Sequence, residues 1–197
     1  GFAINLFTGL IVFNLISECI GKAPALILGQ PNYVTKIVFP LELLGATAVA
    51  ASCFHAIASL VVLAGFELIA TGTIPITAVL LPLVWLPLIL GCLGGCWLLS
   101  ALGVYLRDLP QFVNVSLSIL MFLSAVFYPL SALPDAWQPI MNLNPIAGAI
   151  EQTRRVLVSG HPPSFTYTAL GIPLGIAWCE ASFMLFQRAR RGFADVI

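Results

Sequence analysis

Two histidines (His55 and His161), two cysteines four apart (Cys92 and Cys96), a glycine followed by lysine (Gly21 and Lys22) and the charged trio Glu151, Arg154 and Arg155 have the side chains best suited to chemistry here. Neither histidine lies near a carboxylate or cysteine at metal-ligand spacing. Cys92 and Cys96 share a helical face but stand among Gly91, Gly94 and Gly95. Gly91 and Gly95 form a small-xxx-small pair, which favours close helix packing over metal binding. Gly21-Lys22 continues into Ala23 instead of Ser or Thr, so no Walker-type phosphate loop is present. Cys19, Cys53 and Cys179 also lie in or beside apolar segments, and all five cysteines read as small buried apolar residues. An intramembrane protease or lipid-modifying transferase would need a clustered nucleophile or acid at depth, and the sequence offers none.

His55 falls in the middle of an apolar segment, where an ionisable group is a functional candidate by default. A proton relay would need further partners at depth, whereas Glu18, Glu42, Glu67 and Glu180 fall toward segment ends. A neutral histidine hydrogen-bonded across helices is therefore the favoured reading. Glu151 and Arg155 stand four apart with the acid first, the spacing of a helix-stabilising pair; Arg154 and Arg155 could equally serve an outer gate or a headgroup contact. Among the aromatic residues, Phe13, Trp85 and Trp97 are candidates for a channel lining. The two tryptophans are twelve apart, about 120° around an ideal helix, so they do not form one stripe.

These residues sit in a chain of 197 residues that is 60% hydrophobic and only 8% charged, with eight basic and eight acidic side chains. Ordinary soluble domains carry about 25% charged residues, so a water-soluble fold is excluded in favour of a bilayer. The zero net charge gives no footprint for nucleic acid. A transmembrane helix needs about 20 mostly apolar residues. Five spans meet or approach that length, at roughly 1–19, 43–68, 76–103, 111–130 and 165–187. Runs such as 78–90 do not alternate, which argues for helices over a barrel.

The expected architecture is an all-α integral membrane protein. It is a polytopic helical bundle of five visible spans, with an outer re-entrant helical hairpin. Lys22, Lys36, Arg107, Arg188, Arg190 and Arg191 fall on one side and only Arg154 and Arg155 on the other, so the first side should be cytoplasmic and include the C-terminus. Gly1 is not Met and already lies in an apolar run, which reads as an N-terminally truncated single transmembrane domain over 1–197. Two connections are more than linkers. The cytoplasmic stretch 21–42 carries Pro24, Pro31 and Pro40 around short apolar pieces. The outer stretch 131–164 carries two amphipathic pieces separated by Asn144 and Pro145, each too short to span and too apolar to float freely.

Several strings now read together. Gln30-Pro31-Asn32-Tyr33-Val34-Thr35-Lys36-Ile37-Val38-Phe39-Pro40-Leu41-Glu42 resembles the cytoplasmic loop of type-2 ABC exporter permeases, in the subfamily that exports polysaccharides and polyol phosphates. Ala101-Leu102-Gly103-Val104-Tyr105-Leu106-Arg107-Asp108-Leu109, Phe127-Tyr128-Pro129, Asn144-Pro145 followed by Arg154, and the ending Gly192-Phe193-Ala194-Asp195-Val196-Ile197 are similar to further motifs of that subfamily, in order along the chain.

The resemblance implies a non-enzymatic permease subunit of six spans that pairs with a second copy of itself around a central channel and binds a separate ATP-binding cassette ATPase. ATP and magnesium would belong to that ATPase, with no cofactor in this chain. The ATPase would couple through Pro31, Asn32, Tyr33, Lys36 and Phe39. The outer gate or cargo contact would involve Phe127, Tyr128, Glu151, Arg154 and Arg155. The cargo class is a lipid-linked polysaccharide such as O-antigen, capsular glycan or teichoic acid, moved across the bacterial cytoplasmic (inner) membrane. A type-2 exporter of drugs or lipids would share the fold.

Overall fold

The computed structural model describes residues 2–30, 40–128, 141 and 143–193. Its helices are α1 (Phe2–Lys22), α2 (Glu42–Thr71), α3 (Leu81–Tyr105), α4 (Leu109–Leu123), α5 (Pro145–Leu157) and α6 (Phe165–Arg190), with short 3-10 turns at Ala23–Ala25 and Ile76–Leu80. There is no strand among the described residues. Among the described residues, four segments are long and apolar enough to cross a membrane: Ala3–Ala25, Glu42–Ala70, Ile76–Tyr105 and Phe165–Arg190. The chain is thus a multi-pass, all-α membrane protein.

Local signals explain the helix ends. Gly72 takes the left-handed conformation (φ 75°) and returns its N–H to the Leu68 carbonyl at 2.9 Å, which stops α2. Pro82 falls in the first turn of α3, where no amide donor is required. Asn144 caps α5 by accepting from the Ile146 N–H at 3.0 Å, with Pro145 as its first residue.

The fourth span differs from expectation. The sequence predicts a helix over 111–130, yet α4 ends at Leu123 and the chain unwinds over Ser124–Tyr128, with Ala125 at φ 53°. Its 15 residues cover about 22 Å at 1.5 Å per residue, short of a hydrocarbon core of about 30 Å. Pro129 gives a local reason for a stop near here, since it cannot donate to the Ala125 carbonyl four residues back; the carbonyls left free over 125–128 are claimed by a distant arginine, described below.

Helices α1, α3 and α6 run in one direction. Cys19 meets Cys96, Pro24 meets Gly103, Val84 meets Tyr167 and Tyr105 meets Ala189. α2 runs antiparallel to them, with Gly45 against Trp97 and His55 against Glu18. Small residues set the closeness of these pairs. A Cβ at Gly95 would lie 2.6 Å from Ile20 of α1, one at Gly94 would lie 2.6 Å from the Trp178 ring of α6, and one at Gly103 would overlap the Pro24 backbone. The tight approach therefore falls at Gly94, Gly95 and Gly103. Gly91, expected to pair with Gly95, has open space where its Cβ would be and instead accepts a hydrogen bond from Trp178 through its carbonyl. Cys19, Cys92 and Cys96 are buried in this core, and all five cysteines are free thiols.

Candidate functional site

One end of the bundle is organised by Arg154. Helix α5 has a strongly one-sided apolar pattern, and its inner face buries Ala147, Ile150, Thr153, Val156 and Leu157. Arg154 lies on this face and is only 5% exposed. Its Nε donates to the Asn5 carbonyl (3.0 Å), one terminal nitrogen donates to the carbonyls of Ala125 and Tyr128 (3.1 Å each), and the other donates to that of Val126 (2.7 Å). Glu151 is 3.9 Å away and supplies the counter-charge. Burial pushes the guanidinium pKa down from its ordinary value, and Glu151 opposes that shift. Gly9 makes room for the arrangement, since a Cβ there would lie 2.8 Å from both the guanidinium and the Val126 carbonyl.

The structure brings Phe127, Tyr128, Glu151 and Arg154 together at this end. Phe127 stacks at 5.7 Å on Phe122, and the Tyr128 hydroxyl donates to the Phe122 carbonyl. Arg155 points the other way, is exposed, and donates to the Pro162 carbonyl at 2.8 Å. Glu151 thus faces Arg154 three residues on, and not Arg155 four residues on, because the apolar face of α5 turns the first arginine inward. Trp85 anchors α3 to α5 by donating to the Thr153 hydroxyl at 3.2 Å. The candidate channel aromatics Phe13 and Trp85 are both buried in the core, and Trp97 packs on Phe183 at 4.9 Å.

The opposite end carries a second cluster. Glu42 accepts from Arg190 at 3.0 Å through its carboxylate, and from the Trp97 indole at 2.9 Å through its carbonyl. Phe193 packs between Phe186 and Tyr105. Lys22, Arg107, Arg188, Arg190 and Arg191 all fall at this end, while among the described residues Arg154 and Arg155 are the basic residues of the other. The expected coupling residues Pro31, Asn32, Tyr33, Lys36 and Phe39 lie outside the described residues, as does the first half of the outer hairpin.

His55 does bond across helices. Its Nδ1 lies 3.0 Å from both carboxylate oxygens of Glu18, which also accepts from Lys22 at 2.7 Å. The sequence set Glu18 aside because it falls toward a segment end; what it hid was the axial shift that sets Glu18 level with the middle of α2. No signal in the sequence pointed to Gly9 or Ala125.

No group of side chains able to hold a metal occurs among the described residues, and neither cluster pairs a nucleophile with a base. Both ends instead tie helices together around a membrane-spanning frame. The comparisons agree with such a frame. The chain is 25% identical over 199 residues to the O-antigen export system permease protein RfbA of Myxococcus xanthus, covering all of this chain and 76% of that protein's length. It is 20% identical over 197 residues to the protein of the same name from Klebsiella pneumoniae, with the same coverage. The model of the ABC-2 type transporter family matches residues 2–158, most of the chain and every element through α5. With that match over the frame just described, the chain belongs to the ABC-2 type transporter family.

Proposed function

We propose that this chain is the membrane-spanning permease subunit of an ATP-driven exporter that moves a lipid-linked polysaccharide across the bacterial inner membrane. The observation that carries the reading is the likeness, over the whole chain, to O-antigen export permeases from two organisms. Two copies enclose the path, and each binds an ATP-binding cassette ATPase that supplies ATP and magnesium chemistry. The end bearing Lys22, Arg107 and Arg188–Arg191 faces the cytoplasm, in keeping with the excess of basic residues there. The end bearing α5 faces outward, with 131–164 as the re-entrant segment.

The frame supports a mechanism of transmission. Residues 31–39 join two fixed points: the Ala23–Ala25 turn, seated on Gly103 of α3, and the start of α2, held by Arg190 and Trp97. Movement of the ATPases against this connection, through Tyr33 and Lys36, would be passed to α1 and α2 together. At the outer end Arg154 binds the turn after α4 to α1 and α5, so that the three elements move as a unit.

The test uses the full-length gene. Deleting it should leave lipid-linked glycan on the cytoplasmic face and none at the cell surface, and the intact gene should restore display. The variant Tyr33→Ala with Lys36→Glu should reach normal membrane levels yet export nothing and lose co-purification of the ATPase. Normal surface glycan in the deletion strain would remove the export reading, and normal export by the double variant would remove the coupling assignment.

A further inference from the structure

Three helices carry polar residues along one open side of the bundle. On α1 these are Asn14, Ser17, Glu18 and Lys22; on α2, Thr47, His55 and Ser59; on α4, Gln111, Asn114 and Ser118. Helix α1 lies between the other two: Glu18 meets His55 of α2, and a Cβ on Gly21 would sit 3.4 Å from the side-chain oxygen of Asn114 on α4. The three stripes therefore border one trough. Its α1–α2 part is a groove of about 340 Å³ lined by Asn14, Ser17, Glu18, Ser52, His55 and Ser59.

The remaining exposed surface of α2 is apolar, including Phe54, Ile57, Val61 and Phe66, as hydrocarbon demands. His55 stands near the middle of α2, which runs from residue 42 to residue 71, so the polar side reaches mid-membrane depth. Its side chain is 61% exposed and that of Glu18 is 22% exposed. Ionisable groups at that depth face water or a polar partner, because lipid offers nothing to replace their hydration.

The hydroxyl groups indicate what would fill the trough. Ser17 donates to the Asn14 carbonyl, Thr47 to Leu44, Ser59 to His55 and Ser118 to Asn114, at 3.0–3.2 Å. With their protons engaged, these oxygens present lone pairs, the amides of Asn14, Gln111 and Asn114 carry both N–H donors and carbonyl acceptors, and Glu18 is held by Lys22 and His55. A wall that offers both donors and acceptors, with its carboxylate paired to Lys22, is complementary to hydroxyl groups, which both donate and accept.

We infer that this trough is the wall of the hydrated path along which hydroxyl-rich stretches of the glycan slide, with Glu18 and His55 as the mid-depth contact. The inference rests on the glycan-export reading and adds the surface and the ligand chemistry. Many weak polar contacts with no deep pocket suit a polymer that must move on.

The test uses the full-length permease assembled with its ATPase. Cys19, Cys92 and Cys96 are buried and can remain; the half-buried Cys53 and Cys179 are replaced by Ala. Asn14→Cys, Ser59→Cys and Asn114→Cys should react with a trimethylammonium methanethiosulfonate about tenfold faster than Val61→Cys on the lipid side. Purified glycan-lipid, loaded with the ATPase arrested by vanadate, should slow all three trough positions and leave Val61→Cys unchanged. Uniformly slow reaction would overturn the hydrated trough, and fast reaction without protection would overturn the glycan contact. In cysteine-intact protein, Asn14→Leu with Ser59→Leu should lower export per assembled transporter at unchanged assembly; unaltered export would also overturn the inference. The underlying export reading fails separately, through normal surface glycan in the deletion strain.

Discussion

A guanidinium holds five N–H donors in a rigid fork, and Arg154 directs them at four backbone carbonyls contributed by α1 and the turn after α4. Removing it leaves those buried acceptors unpaired. Arg154→Met should therefore destabilise the protein by about 3 kcal/mol or more, and Arg154→Lys should recover only part, since an ammonium cannot reach every carbonyl. Arg155→Ala removes a solvent-side contact and should change stability by about 0.5 kcal/mol or less. Thermal unfolding in detergent separates the cases, and equal losses for Arg154→Met and Arg155→Ala would refute the tethering role. Sequence reasoning singled out both arginines but could not choose between them. Which one turns inward depends on Gly9, far earlier in the chain, and on carbonyls left free where α4 stops ahead of Pro129.

At the scale of elements, the break after α4 and the start of α5 are one joint. Asn144 accepts from the Ile146 N–H at the start of α5, while its own amide donates to the Leu123 carbonyl (3.2 Å) and the Ser124 hydroxyl (3.3 Å) at the end of α4. Asn144→Ala should cost about 1 kcal/mol for the lost cap and more for the loosened joint, whereas Asn144→Asp keeps the cap and loses the donation to Leu123. Hydrogen exchange on 120–128 and 145–150 should quicken together in the Ala variant; quickening confined to α5 would mean a simple cap. The cap was legible, because Asn-Pro ahead of an amphipathic run is a local helix start. The link to Leu123 was not, because it joins residues 21 apart through tertiary contact.

For the whole molecule, the crowding of basic residues at one end gives an orientation that can be measured. In intact cells, His161→Cys should react with a membrane-impermeant thiol reagent, and Gln187→Cys should react only after permeabilisation. Reaction of Gln187→Cys in intact cells would reverse the topology. The four long spans were legible because hydrophobic length alone specifies them, with most ends within a few residues of expectation. The polar trough was not legible as a unit. Each stripe was present in the sequence, but only the packing of α1 between α2 and α4 joins them.

The contact of Pro24 with Gly103 has a mechanical consequence. With no room for even a methyl group between them, the turn after α1 and the end of α3 form a bearing without play, so that on the coupling proposed above a displacement entering at 31–39 would be passed on there. Gly103→Ala would force the two apart and introduce slack. The complex should then behave like a slipping clutch: ATP turnover continues while glycan moved per ATP falls. Measuring both rates on the same reconstituted sample decides it, since loss of both in proportion would indicate damaged assembly and not lost coupling.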